Sequence, residues 1–187
     1  MFKRSKVAGA LIFVGASQFL LSMIIAESIY PGSSIQWNYI SDLGVGSTSL
    51  IFNASIIFLG LFLLLAAYLL DKAWAGRWFT SALVMTAIGA IGVGVFNERS
   101  PLNLHVLFSL ITFAFGGISA IMSSRIVKPP FSFISALVGS LGLVALVFFA
   151  LNFYPLIGPG GMERMIAYPI LIWGLAFGGY LMGADGG

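Results

Sequence analysis

Long apolar stretches alternate with short polar ones along the whole chain, and this alternation predicts its elements. Each of six apolar stretches is about twenty residues long, the length at which a helix crosses the roughly 30 Å hydrocarbon core of a bilayer. They lie at positions 7–26, 50–70, 78–96, 104–122, 131–151 and 165–182. The stretches lack the alternation of polar and apolar positions that is typical of transmembrane barrel strands. The pattern therefore predicts an all-α integral membrane protein, with one domain at 1–187 folded as a six-transmembrane-helix bundle.

The composition supports this class and excludes several kinds of chemistry. Of the 187 residues, 59% are hydrophobic and 8% are charged, which is too little charge to solvate the surface of a soluble domain. The chain has no cysteine and one histidine, so thiolate metal sites and zinc centres built from several imidazoles of one chain are excluded. The net charge of +3 follows membrane topology and forms no basic patch, so we predict no nucleic-acid partner.

The basic residues are distributed unequally between the two ends of the predicted bundle. Only Arg99 and Arg164 lie at one end, and the others lie at the opposite end: Lys3, Arg4, Lys6, Lys72, Arg77, Arg125 and Lys128. By the positive-inside rule this bias predicts a multi-pass protein of the cell membrane with both termini in the cytoplasm. The first apolar stretch is longer than the hydrophobic core of a signal peptide, so we expect it to be retained as the first span.

The polar side chains concentrate at the predicted outer end. The stretch FNERSPLNLH at 96–105 joins the third and fourth spans and contains Glu98, Arg99 and the only histidine, His105. Histidine is a common general base, and carboxylates orient such a base or bind a cation. The candidate catalytic residues are therefore Ser41, Asp42, Glu98 and His105, and the candidate ligand-binding residues are Glu27, Asn53, Glu163, Arg164 and Tyr168.

The one long connection, at 27–49, is rich in aromatic and turn residues but has almost no charge. A segment of this composition is not expected to extend into water, and we predict that it folds back over the mouth of the bundle. Asp42 would then approach Glu98 and His105. The alternative is that Asp42 only forms a turn ahead of Gly44.

Three motifs resemble a known family: YISDLG at 39–44, FNERSPLNLH at 96–105 and GGMERMIAYPILIW at 160–173. Together they resemble the six-span membrane family known as domain of unknown function 998, which occurs in prokaryotes and is abundant in archaea. The resemblance covers nearly the whole chain. It implies no activity. It does imply that six motif residues form one linked site: Ser41, Asp42, Glu98, His105, Glu163 and Arg164.

These residues favour a lipid-directed enzyme or a lipid-headgroup-binding protein whose partners are membrane lipids. Glu98, Asp42 and His105 would suit Mg²⁺, Ca²⁺ or Mn²⁺, so a divalent cation is the cofactor to consider. Arg164 would bind a phosphate or carboxylate headgroup.

Two alternatives stay open. One is a small transporter, channel or sensor with a proton-linked outer gate at Glu98 and His105, although the middles of the spans carry no charge. The other is a structural membrane scaffold whose ion pairs connect helix ends. The sequence leaves open whether the chain forms a homo-oligomer.

Overall fold

The computed structural model describes residues 2–71 and 75–183, and six long helices follow one another along this part of the chain. They are α1 (Phe2–Ile29), α2 (Ser49–Asp71), α3 (Arg77–Val95), α4 (Leu104–Ser123), α5 (Phe131–Ala150) and α6 (Gly158–Gly183). All six are long and apolar enough to cross a membrane, and the described residues contain no strand. The predicted fold class is confirmed. Lys72, used above to predict the orientation, lies outside the described residues.

The six helices form a ring. Each helix packs against the next one in the chain, α6 packs against α1, and α4 also touches α6. Small residues allow the closest approach, because a Cβ added at Gly9 would lie 2.7 Å from the carbonyl oxygen of Gly178. This contact joins the start of α1 to the finish of α6. Both ends of the described chain therefore lie at one end of the bundle, which we call the termini end.

The outer surface of the ring is strongly apolar. All six helices carry exposed large hydrophobic side chains, and those on α2, α5 and α6 that are between 49% and 80% exposed include Leu50, Leu65, Leu137, Val144 and Ile172. Helices without a lipid-facing role would place such side chains in a core, so this surface is the one that a bilayer covers. Alanine recurs among the buried residues of the described spans, and several glycines lie at close contacts between helices.

Three connecting segments, 30–48, 96–103 and 151–157, meet at the opposite end of the bundle, which we call the polar end. The first segment contains two short 3-10 helices, at Ser41–Gly44 and Gly46–Thr48. It lies over the helices, since Ile40 and Leu43 are buried in the core and the amide of Gly160 donates a hydrogen bond to the carbonyl of Gln36 at 3.0 Å.

Helix α6 begins at Gly158, well before position 165, where the apolar pattern placed the start of the sixth span. The first turns contain the sequence GPGGME, which is not apolar enough to be recognised as part of a span. Proline is nevertheless well tolerated in the first turn of a helix. Glu163 and Arg164 consequently lie inside α6, beyond its first turn.

Candidate functional site

Arg164 is the centre of a closed group of contacts at the polar end. Its Nη2 lies 2.6 Å and its Nε 3.1 Å from Oε1 of Glu27, which is in the last turn of α1. Its Nη1 donates to the carbonyls of Ile35, Asn38 and Gly160 at 2.8–3.2 Å. We call these five residues the Arg164 cluster. The cluster ties α1, α6 and the 30–48 segment together.

The Arg164 cluster has little capacity left for a ligand. Arg164 is 4% exposed, and its guanidinium already faces one carboxylate and three carbonyl oxygens. Tyr168, one turn further along α6, also lies beside Glu27 and Arg164. This geometry favours a structural role for Glu27, Arg164 and Tyr168 over the predicted role in binding a headgroup.

A large pocket opens at the polar end on the side of α4 and α5. Its volume is about 640 Å³. We call it the polar-end pocket, and its walls come from all three connecting segments and from α4, α5 and α6. The described residues that line it are Tyr39, Ser41, Asp42, Glu98, Ser100, Asn103, His105, Val106, Ser109, Leu110, Phe113, Leu146, Phe149, Ala150, Asn152, Tyr154 and Glu163.

The 3-10 helix at Ser41–Gly44 brings two of the predicted residues to Glu98. The hydroxyl of Ser41 donates a hydrogen bond to Oε1 of Glu98. Asp42 turns back along the chain, so that its Oδ2 accepts from the amide of Tyr39 at 3.0 Å and from Nδ2 of Asn38 at 3.1 Å. These contacts hold Asp42 and Glu98 on one wall of the pocket.

The carboxyl group of Glu98 is partly withdrawn from water. This partial burial raises the pKa of Glu98 above its ordinary value, and the nearby charge of Asp42 acts in the same direction. The hydrogen bond from Ser41 and the proximity of His105 oppose the shift but do not cancel it. A proton or another positive charge is therefore favoured beside Glu98.

His105 lies in the first turn of α4 and is 7% exposed. Its Nδ1 is 2.7 Å from the carbonyl oxygen of Phe96. A carbonyl only accepts, so Nδ1 carries the hydrogen, and in the neutral ring Nε2 is left with a lone pair. No described residue donates to Nε2, and the ring lines the pocket. His105 therefore presents a proton acceptor to the pocket, oriented by a backbone carbonyl and not by a carboxylate.

Glu163 lies between the pocket and the interior of the bundle. Its Oε2 accepts a hydrogen bond from the amide of Ile40 at 2.5 Å, and the residue is 5% exposed. Beneath it an apolar cavity of about 80 Å³ extends among α1, α2, α3, α4 and α6. Ser41, Ser109, Phe113 and Glu163 line both spaces, so the polar-end pocket has an apolar space directly below it.

Asn53 lies apart from both groups. Its Nδ2 donates to the carbonyl of Gly44 at 3.0 Å, while its buried Oδ1 has no hydrogen-bond partner among the described residues. The contact holds the end of the first 3-10 helix, at Gly44, beside the start of α2. Asn53 is therefore placed to position the loop and not to line the pocket.

The predicted cation ligands share the pocket but are not arranged as a metal centre. In residues 2–71 and 75–183, no three His, Asp or Glu side chains are grouped so that they could hold a metal ion. Asp42 and Glu98 lie together, and Nδ1 of His105 is directed to the backbone, which leaves Nε2 open to the pocket. The divalent cation stays a prediction.

Sequence reasoning missed the aromatic wall of the pocket, which comes from three separate segments. Tyr39 and Phe149 meet edge to face with ring centroids 5.8 Å apart, and Phe149 and Tyr154 are also 5.8 Å apart. Burial raises the pKa of the Tyr39 hydroxyl. Tyr39 belongs to the YISDLG motif and so carried a local signal, but Phe149 and Tyr154 had none.

The fold and the site define a multi-pass helical membrane protein with a polar pocket at one end of its helix ring. The chain belongs to the family described as protein of unknown function (DUF998), whose family model matches residues 13–180. The predicted resemblance is thereby confirmed. No curated protein and no solved structure gives a significant match to the chain.

Proposed function

We propose that this protein binds a membrane lipid in the polar-end pocket. The headgroup would lie among Ser41, Asp42, Glu98 and His105, and the acyl chains would leave between α4 and α5. In the orientation predicted from the basic residues, the pocket opens toward the outer leaflet of the cell membrane, with both termini in the cytoplasm.

One observation carries the proposal: the wall of the pocket continues onto the lipid-facing surface. Val106 and Leu110 of α4 are 63% and 51% exposed, and both line the pocket. Leu146 and Ala150 of α5 line it from the other side. A polar group held inside thus has an apolar path to the bilayer, which a lipid needs and a water-soluble ligand does not.

The relative exposure of the helices agrees with this path. In the most apolar 18-residue stretch of each helix, 28% of α4 and 22% of α5 is buried inside the bundle. The corresponding share in the other four helices is 39–61%. The space below the pocket is apolar, which supports occupation by hydrocarbon and offers no polar route for an ion.

The test uses a pair of phenylalanine substitutions on α4. Ser109 lines the pocket, and Leu107, which is 50% exposed, lies close to it in sequence without lining it. Ser109→Phe fills the pocket, whereas Leu107→Phe changes only the lipid-facing surface. We expect native mass spectrometry to show lipid occupancy reduced by about tenfold or more in Ser109→Phe, because overpacking a site typically costs 1–3 kcal/mol.

Leu107→Phe should retain the lipid occupancy of the wild type. A photoreactive lipid should crosslink to peptides from α4 and α5 in the wild type. Equal occupancy in the two variants, or crosslinks confined to other helices, would contradict the proposal.

A lipid-directed enzyme is the second candidate, favoured by the lone pair at Nε2 of His105. A base held in this tautomer can accept a proton from a lipid hydroxyl or from water. Lipids in proteoliposomes would be followed by mass spectrometry with wild type, His105→Ala and Glu98→Gln. A product formed only by the wild type would establish the enzyme, and an unchanged lipid composition would leave lipid binding alone.

A further inference from the structure

The polar-end pocket has carboxylates but no lysine or arginine among the described residues that line it. Asp42, Glu98 and Glu163 contribute the carboxylates. Arg164 follows Glu163 in the chain, but its guanidinium is held by Glu27 and three carbonyls. An anionic headgroup would therefore meet carboxylates and no lysine or arginine, which disfavours it.

The pocket is also rich in acceptors. The carboxyl groups of Asp42 and Glu98 lie within hydrogen-bonding distance of each other, and the described pocket lining supplies no lysine or arginine to either. Nε2 of His105 is an unpartnered acceptor, on a side chain that is more than nine-tenths buried and that lines the pocket. A ligand that fits these groups must bring donors, positive charge or both.

The aromatic wall points to the same chemistry independently. Tyr39, Phe149 and Tyr154 form a connected group of rings, and Phe113 adds a fourth aromatic side chain to the lining. The faces of such rings attract ammonium groups, most strongly where water is excluded. Carboxylates beside aromatic rings are the combination that recognises primary and quaternary amines.

We propose that the ligand of the polar-end pocket carries a positively charged amine on an apolar chain. This inference rests on the proposed lipid binding and names the headgroup chemistry. The amine has two sources: a zwitterionic phospholipid with an ethanolamine or choline headgroup, or a single-chain ammonium amphiphile. For the phospholipid, Ser100, Asn103 and Asn152 line the pocket with neutral donors that suit a phosphate.

The experiment compares ligands that differ in charge at one atom. Phosphatidylcholine is set against phosphatidyl-3,3-dimethylbutanol, in which carbon replaces the ammonium nitrogen, and against phosphatidylglycerol of the same chain length. Hexadecyltrimethylammonium represents the second source. Each competes with a fluorescent phospholipid for the purified full-length protein, and this wild-type series needs no variant to fold.

We expect the choline lipid to compete at about tenfold lower concentration than its neutral isostere or phosphatidylglycerol. Asp42→Asn and Glu98→Gln should each reduce this preference several-fold. Asp71→Asn, at the termini end of α2, should leave it unchanged. Tyr154→Leu should reduce the preference, and Tyr154→Phe should retain it because the ring remains.

The possible failures are distinguishable. If the neutral isostere or phosphatidylglycerol competes as well as the choline lipid, and Ser109→Phe abolishes both, the amine is wrong and lipid binding stands. If hexadecyltrimethylammonium displaces the fluorescent phospholipid and phosphatidylcholine does not, the amine stands and the zwitterionic phospholipid is excluded as its source. If no ligand responds to Ser109→Phe, both proposals are overturned. Unfolding temperatures of every variant show whether a loss of binding reflects a loss of folding.

Discussion

The Arg164 cluster and the polar-end pocket lie at the same end of the bundle and are built from the same kinds of residues, yet one is closed and the other is open. In the Arg164 cluster Oε1 of Glu27 and three carbonyl oxygens face the guanidinium. In the pocket, Asp42, Glu98 and His105 all present acceptors, and the described lining supplies no lysine or arginine to pair with them. Charged groups at a helix end are therefore structural when their charges balance, and are available to a ligand when they do not.

Two adjacent residues show how the chain produces this difference. Successive positions on a helix point about 100° apart. Glu163 consequently accepts from the amide of Ile40 and lines the pocket, while Arg164 faces Glu27 on α1. A single Glu-Arg pair in the sequence thus serves two different regions.

The largest expected effect comes from removing the centre of the closed region. Arg164→Ala leaves Glu27 and the carbonyls of Ile35 and Asn38 without their donor. Breaking such a buried pair typically costs about 3–5 kcal/mol, so we expect a loss of unfolding free energy of this order. Denaturant unfolding in detergent micelles measures it.

Arg99→Ala is the matched control, because Arg99 is exposed in a connecting segment and its change should alter the unfolding free energy by about 0.5 kcal/mol or less. If Arg164→Ala is no more destabilising than Arg99→Ala, the cluster is not the structural centre that its contacts indicate.

A smaller effect is expected where the 30–48 segment approaches α6. A Cβ added at Gly160 would lie 2.1 Å from the carbonyl oxygen of Asn38 and 2.7 Å from that of Ile35, both of which accept from Arg164. Gly160→Ala must displace this backbone, and overpacking of this kind costs about 1–3 kcal/mol. Thermal unfolding of the purified protein measures the loss.

Gly179 provides the control on the same helix, since a Cβ there would meet nothing within 4 Å. Gly179→Ala should be neutral or stabilise by up to about 1 kcal/mol, because alanine favours a helix. Equal destabilisation by the two substitutions would mean that the Gly160 contact does not limit the position of the segment.

The hydrophobic pattern was sufficient for the fold class, because a span must be about twenty apolar residues long whatever it packs against. It was insufficient at the start of α6, where glycines, a proline and two charged residues form the first turns without an apolar signal. The family motifs named Ser41, Asp42, Glu98, His105 and Glu163, which the structure places around one pocket.

The division between the two regions was not predictable from the sequence. The partner of Arg164 depends on the path of the 30–48 segment, whose carbonyls carry no sequence signal. The aromatic wall depends on contacts between residues far apart in the chain, Tyr39 with Phe149. Both features arise from tertiary packing, which local patterns do not encode.

The smallest expected effect tests the open region through its pH dependence. Because the pKa of Glu98 is raised in the folded protein, the folded state binds a proton at this site more tightly than the unfolded state. The contribution of Glu98 to stability therefore falls as the pH rises from the ordinary carboxyl value through the raised one.

Glu98→Gln removes this dependence while Gln keeps an acceptor for Ser41. The unfolding temperature of Glu98→Gln relative to wild type should then increase between about pH 4 and about pH 7. A difference that stays constant or decreases over that range would mean that Glu98 is as well compensated as Glu27, and the contrast between the two regions would fail at its most exposed carboxylate.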